Sequence, residues 1–305
     1  MAAGPDWMHA VILVTGATGN VGRHVVSELL GAGVEVRALT RRPDGASLPT
    51  GVEIVRGDLS KPDSLRAALS RVTAVFLVWP LMNAKAARDV VAAVEGHANQ
   101  IVYLSSMSVR DGVDRQTDPI SSFHSEIERV ISQSRLQWTF LRPSGFATNT
   151  LVWAPQIRAG STVRWPYGGA TRSLIDERDI AAVAARALRG ERHAGKTHVL
   201  TGPNALTQIE QLGLIGEAIG RQLHYQEIPP ATARQALLTS WGIPSIVARL
   251  LPARALPRRI VDGALAAQAD MVAEPEPVTD TVEEVTGTPA RTFADWASSH
   301  ARDFQ

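Results

Sequence analysis

The chain has 305 residues, 45% of them hydrophobic, which is enough apolar sequence for a large core organised as one main domain with a smaller appendage. Its formal net charge of +1 is spread over scattered arginines, with Lys61, Lys85 and Lys196 as the lysines, so no basic stripe marks a nucleic-acid footprint or a membrane anchor. With no cysteine, disulfides, thiol catalysis and cysteine-ligated metals are excluded.

In chain order, Met1 to Trp7 reads as a frayed extension or alternative start ahead of a second methionine. Val11 to Val14 is a strand buried on both faces, followed by Gly16, Gly19 and Gly22 at three-residue spacing. A helix is expected to begin near Asn20 and to show its periodicity from His24 to Leu30. Val34 to Leu39 and Val52 to Arg56 are the next strands, separated by the turn-rich stretch from Arg42 to Gly51. A helix over Pro62 to Arg71 is expected to start on Ser60 as its cap, with Asp63 in the first turn. Strands at Val75 to Trp79, Ile101 to Ser105 and Trp138 to Arg142 alternate with helices at Ala84 to His97 and Ser122 to Ser134. This alternation predicts an α/β fold, a Rossmann-like doubly wound parallel sheet whose ligands sit at the carboxyl ends of its strands.

The pattern changes after Pro143. Residues 144–172 carry glycines, prolines and aromatics without a period; a helix at Asp176 to Arg189 and a strand at His198 to Thr201 then resume it. Helical patterns follow at Thr207 to Gly220 and Ala231 to Arg254, then a helix around Val282, a G-T-P turn, and a last helix with Phe293 and Trp296 inward. The expected organisation is a cofactor-binding domain over 8–143, completed by about 173–202, and a smaller, mainly helical lobe interleaved with it over 144–172 and 203–305. No apolar stretch reaches the roughly 18 residues of a membrane span, and no signal-peptide core precedes the first strand. A cytoplasmic protein is expected, without membrane or nucleic-acid partners.

The glycine turn suits a pyrophosphate, because bare backbone can approach the phosphate oxygens and the helix start presents N–H groups and a positive dipole end. Gly16, Thr18, Gly19, Asn20, Val21 and Gly22 are therefore the first cofactor-binding candidates. At the end of the second strand, where an acidic side chain would select a ribose 2′-hydroxyl, the chain has Thr40, Arg41 and Arg42. Guanidiniums there suit a 2′-phosphate, so NADPH is expected in preference to NADH; solvated loop charges are the alternative. Asp58 and Leu59 have the position to meet the adenine. Val78, Trp79 and Pro80 have the position to line the nicotinamide ribose, and all five could equally be strand-end packing. Ser105 and Ser106 follow the fifth strand as ribose or substrate contacts, or as turn serines. Pro143, which closes the last strand of this series, is a further cofactor-binding candidate.

Taken together, the glycine pattern, the strand-end arginine, GDL at Gly57, LSS at Leu104, TFLRP at Thr139 and ERDIA at Glu177 resemble the NmrA-like group of atypical short-chain dehydrogenases. The resemblance covers nearly the whole chain. It implies an NADPH-binding fold shared by quinone reductases, triphenylmethane-dye reductases, isoflavone-type reductases and a catalytically silent redox-sensing regulator. The ordinary Tyr-x-x-x-Lys pair is absent: four residues beyond Tyr103, Tyr167 and Tyr225 stand Met107, Thr171 and Pro229. In the isoflavone-type branch a lysine lies fifteen residues ahead of the threonine of the TFLRP-like strand. Counting back from Thr139 reaches His124.

His124 is thus the expected catalytic group, placed in the first turn of its helix, where the dipole would keep the imidazole neutral and able to polarise a carbonyl. The alternative is a histidine that only holds the nicotinamide ribose or a backbone carbonyl. Trp79, Phe146, Trp153, Trp165 and Tyr167 are expected to surround a planar, largely apolar substrate, or else to belong to the core of the second lobe. With neither H-E-x-x-H nor G-x-S-x-G present, no metal site or serine-hydrolase elbow is expected. The reading is an NADPH-dependent reductase of a quinone or related conjugated carbonyl, with a silent NADP(H) sensor and a redox-neutral pathway enzyme as alternatives. A homodimer is compatible with it.

Overall fold

The computed structural model describes residues 10–239 and 258–305. The extension from Met1 to Trp7 and the end of the expected helix Ala231 to Arg254 lie outside the described residues. The chain divides into two compact units, Met1–Pro143 with Glu177–Val199, and Ser144–Asp176 with Leu200–Gln305.

The first unit is built on strands β1 (Val11–Thr15), β2 (Glu35–Thr40), β3 (Glu53–Arg56), β4 (Val72–Val78), β5 (Gln100–Leu104) and β6 (Gln137–Pro143). Their order in the sheet is β3-β2-β1-β4-β5-β6, and Lys196–Leu200 continues it beside β6. The pairings from β3 to β6 are parallel. The order reverses between β1 and β4, which makes the carboxyl ends of those two strands the switch point where such sheets open a crevice. Register brings the ends level: Thr15 is opposite Leu39, and Val78 opposite Leu104. Every residue of β1 is buried, as a run without alternation demands of a strand covered on both faces.

Helices α1 (Gly22–Gly31), α2 (Arg66–Leu69), α3 (Ala87–Glu95) and α4 (Pro119–Ser132) connect the strands, and the helix Glu177–Arg189 packs against α1. Val25, Val26 and Leu29 of α1, and Val90, Val91 and Val94 of α3, are the buried faces of their helices, the three-and-four spacing of an amphipathic segment. Two expectations change here. The helix expected from Pro62 to Arg71 is a 3₁₀ turn, Pro62–Leu65, running into the one-turn α2, and its capping position is Lys61 without a side-chain cap. Ser60 is occupied otherwise, donating from both its N–H and its hydroxyl to the Asp58 carboxylate. Helix α4 begins three residues earlier than expected, because Asp118 accepts the N–H groups of Ile120 and Ser121 and Pro119 fills the first helical position, where a missing N–H costs nothing.

In the second unit a 3₁₀ segment, Ala147–Trp153, leads into a short helix, Ala154–Ala159. Two small sheets follow that the sequence did not announce: Thr162–Trp165 parallel to His224–Glu227, and Thr171–Arg172 antiparallel to Leu206–Thr207. Strands of two to four residues carry too little alternation to read. The helices Gln208–Ala218 and Phe293–Ser299 each start on a capping box, Thr207 with Glu210 and Thr292 with Asp295. Thr281–Thr286 ends on Gly287, whose φ of +75° is the left-handed cap of the G-T-P turn. The core of this unit gathers Trp153, Trp165, Leu212, Ile215, Phe293 and Trp296. The helix Arg258–Ala273 was not expected; only Val261 and Leu265 are fully buried along it, which leaves its pattern weak. Among the described residues no helix is long and apolar enough to cross a membrane.

Candidate functional site

The end of β1 is fastened to the end of β4 by one hydroxyl. Thr15 Oγ1 accepts the N–H of Val78 at 2.7 Å and donates to the Val78 carbonyl at 3.1 Å, a double link that fixes the mouth of the switch point. The backbone then turns through Gly16 at φ +62°, where a Cβ would press on the Val78 side chain. Gly19 donates its N–H to the Gly16 carbonyl at 2.8 Å, closing the loop. Gly22, the first residue of α1, lies so close to that loop that a Cβ on it would meet the Gly16 carbonyl oxygen, with the Gly16 carbon at 2.7 Å and the Ala17 Cα at 3.0 Å. Helix α1 starts without a side-chain cap; the N–H groups of Arg23 and His24 bond to the Gly19 and Val21 carbonyls, so an anion would meet the positive end of the helix at the backbone ahead of them. Thr18 and Gly16 are exposed, Gly19 and Asn20 partly so, while Val21 is buried beneath them. A tight, bare-backbone turn over an uncapped helix start fits a dinucleotide pyrophosphate.

At the neighbouring strand ends, Arg41 and Arg42 are exposed beyond β2. Thr40 Oγ1 accepts the Arg42 N–H at 3.2 Å and so shapes this turn. Asp58 stands beyond β3 with Arg41 close enough to act on its charge. Partial burial raises its carboxyl, but the two bonds from Ser60 and the Arg41 and Lys61 charges outweigh that and hold it below the usual carboxylate range. Two residues expected to face the cofactor are core side chains. Leu59 is 5% exposed and Trp79 6%, both packed in the apolar cluster of the first unit, and the indole N–H of Trp79 donates to the Asn83 carbonyl at 2.8 Å. Val78 and Pro80 flank Trp79 and remain partly exposed.

His124 lies on α4, six residues beyond the Asp118 cap and therefore in the second turn, not the first. Its pKa is pushed down to about 3 by burial, against the opposing charge of Asp118. Desolvation is thus the leading cause that keeps the ring neutral. Its Nδ1 is 2.6 Å from the hydroxyl of Tyr103 on β5. Burial, reinforced by the Glu128 charge, raises the Tyr103 phenol and keeps it protonated.

One turn beyond His124, Glu128 accepts the Ser105 hydroxyl at 2.5 Å and two N–H groups of Arg142 at 3.0 and 2.6 Å. Arg142 in turn donates to both oxygens of Asp111 at 2.8 and 2.7 Å. Burial would lower the guanidinium's pKa, but its bonds to Glu128 and Asp111 outweigh that and raise it. Ser105, a candidate contact, is thus 5% exposed and engaged inside this network. Ser106 is paired with Ser108 at 2.9 Å and stays partly exposed. Pro143 is buried, its carbonyl accepting the Met107 N–H. Glu128→Gln should lower unfolding stability by about 1.5–3 kcal/mol, the worth of hydrogen bonds to a charged group. Chemical denaturation measures it, and unchanged stability would mean that Asp111 alone satisfies Arg142.

Tyr103, Glu128, Arg142, Asp111 and Thr15 are the participants that the sequence reading did not single out. Tyr103 has Met107 and not a lysine four residues on, yet Ile101, Tyr103 and Ser105 share one side of the strand by simple alternation. Glu128 sits at the i+4 position from His124, the spacing that puts two side chains on one helix face.

The aromatics of the second unit are mostly inward. Trp153 and Trp165 are 2% and 5% exposed and pack edge to face at 6.4 Å between ring centroids, so their indoles belong to the core and do not line a cleft. Tyr167 is partly exposed with φ +58°. Its N–H donates to Glu227 at 3.0 Å, which holds that left-handed turn. Phe146, partly exposed, pairs through its backbone with Ile175. Among the described residues no cluster of histidine, aspartate or glutamate could hold a metal ion.

A family model, the NmrA-like family, matches residues 8–253. The chain is 40% identical over 296 residues to a (4-alkanoyl-5-oxo-2,5-dihydrofuran-3-yl)methyl phosphate reductase of Streptomyces griseus, covering 96% of this chain and 99% of that one. It is 34% identical over 302 residues to an NAD(P)H azoreductase of Xenophilus azovorans, again covering 96% and 99%. In fold it is similar to a solved NADPH-dependent quinone oxidoreductase of Escherichia coli, with a TM-score of 0.75 at 24% identity, over 94% of this chain and 98% of that one. The glycine turn, the α/β order and the matched sequence agree: the chain belongs to the NmrA-like family.

Proposed function

We propose that this chain is a cytoplasmic NADPH-dependent reductase of a quinone or related conjugated or aromatic carbonyl compound. The observation that carries the reading is the glycine cradle over β1, with Arg41 and Asp58 at the adjoining strand ends. Gly16, Gly19 and Gly22 would hold the pyrophosphate against the start of α1, and Arg41 would meet the 2′-phosphate. NADPH supplies a hydride when bound. His124, neutral and partly exposed, would hydrogen-bond the carbonyl oxygen that the hydride leaves negatively charged. The names of two relatives, a (4-alkanoyl-5-oxo-2,5-dihydrofuran-3-yl)methyl phosphate reductase and an NAD(P)H azoreductase, support a reductase of conjugated or aromatic compounds.

The test is NADPH oxidation followed against a panel of quinones, enones, acylated butenolides and azo dyes. Turnover of a conjugated carbonyl compound is expected. Tight NADPH binding without turnover of any of them would overturn the reductase reading in favour of a sensor.

Arg41→Ala should cost about 1.5–3 kcal/mol of NADPH binding, the scale of a hydrogen bond to a charged group, and leave NADH nearly untouched. Calorimetry with both nucleotides measures it. Equal losses for both would remove Arg41 as the selector.

A further inference from the structure

Among the described residues the Tyr103 hydroxyl has one hydrogen-bond partner, the Nδ1 of His124 at 2.6 Å. Its ring is fully buried and lies edge-on to Phe140 at 6.3 Å between centroids. The Phe123 ring lies 4.3 Å from the imidazole between ring centroids, tilted by 33°. The histidine is therefore held at Nδ1 by Tyr103 and packed against Phe123, and its Nε2 makes no hydrogen bond with any described residue.

The direction of the Tyr103–His124 bond follows from acid–base chemistry. A phenol is a far stronger acid than the N–H of a neutral imidazole, and an imidazole nitrogen a far stronger base than a phenol oxygen. The O–H therefore donates and Nδ1 accepts. A neutral imidazole has a single proton, which then sits on Nε2. The charged groups nearby do not reverse this: Asp118 faces the imidazole from the cap of α4 and Glu128 faces the phenol from one turn further on, and neither bonds to the Tyr103 hydroxyl or the His124 ring.

We propose that Tyr103 is a positioning residue that fixes His124 in the Nε2–H tautomer, so that the histidine offers a substrate carbonyl a hydrogen-bond donor and does not act as a base. The second half of this statement rests on the reductase reading above. When hydride adds to the carbonyl carbon, the π pair moves to oxygen; Nε2–H hydrogen-bonds that oxyanion, and water supplies the proton that completes the hydroxyl. Tyr103 does not pass its own proton on, because a tyrosinate in an apolar core beside Glu128 would be unpaired and repelled.

The test uses protein labelled with ¹⁵N at histidine, with His124→Ala to assign the resonance. In the unmodified protein His124 should show an unprotonated Nδ1 and a protonated Nε2. Tyr103→Phe, which keeps the ring, should shift the Nδ1 resonance as the bond is lost and lower kcat about tenfold with NADPH affinity unchanged, the scale of one misplaced hydrogen bond. A protonated Nδ1, an Nδ1 shift identical in the two proteins, or an unchanged kcat would each overturn the proposal. Should Tyr103→Phe fail to fold, the spectrum of the unmodified protein decides the tautomer by itself. It needs no substrate, so absence of turnover sinks the reductase reading while the tautomer is still read directly.

Discussion

Gly22→Val should abolish NADPH binding, raising Kd by about 100-fold or more, the equivalent of roughly 2.7 kcal/mol. A Cβ at this position meets three backbone atoms, the Gly16 oxygen, the Gly16 carbon at 2.7 Å and the Ala17 Cα at 3.0 Å. Backbone cannot turn aside as a side-chain tip can, so α1 must move away from the loop it anchors, and overpacking of this kind also destabilises by about 1–3 kcal/mol. Gly19→Val separates the two effects, because its Cβ would meet only the Gly16 oxygen at 3.1 Å; it should melt near the unmodified temperature and still bind poorly. Gly31→Ala, at the far end of α1 with nothing within 4 Å, is the silent control. Full NADPH affinity in a folded Gly22→Val would place the pyrophosphate elsewhere.

His124→Ala should lower turnover about 10²- to 10³-fold while NADPH affinity hardly changes, if the imidazole hydrogen-bonds the oxygen of the reacting carbonyl. A residue that only positions the nicotinamide ribose would give the opposite pair of results, binding weakened by about 1 kcal/mol and turnover at saturation intact. The substitution also leaves the buried Tyr103 hydroxyl without its partner, so a stability loss of about 1–3 kcal/mol should accompany either outcome. Single-turnover kinetics well below the melting temperature keep the two effects apart. Unchanged hydride transfer together with unchanged affinity would remove His124 from the site.

The features most legible in the sequence were those set by local chemistry over a long enough run. β1 could be read because four consecutive apolar residues, Val11 to Val14, ask for burial on both faces, and the turn after it because a glycine at φ +62° and a helix start pressed on its carbonyl tolerate no side chain. His124 was found by counting back along a family pattern, but its surroundings were not. A single sequence does not show that Tyr103 and His124, twenty-one positions apart, meet across a strand and a helix. The tryptophans show the same limit from the other side. Trp79, Trp153 and Trp165 admit two readings in the sequence, a cleft for a planar substrate or core packing, because large flat side chains suit both; all three are buried. The expected cap at Ser60 failed because that side chain serves Asp58 instead, and α4 starts early because Asp118 caps it.

The path of the chain between its two units bears on how the protein is made. The first unit is left at Pro143 and re-entered for Glu177–Val199, which brings the helix that covers α1 and the strand that closes the β6 edge. During synthesis the nucleotide-binding half therefore cannot finish when its first six strands have emerged; it waits for fifty or so further residues, with α1 bare and one sheet edge open. An open edge is a template for strand pairing between chains. A fragment ending at Pro143, the natural choice if the halves were read as consecutive domains, would keep the whole glycine turn and yet leave α1 uncovered and β6 without its outer partner.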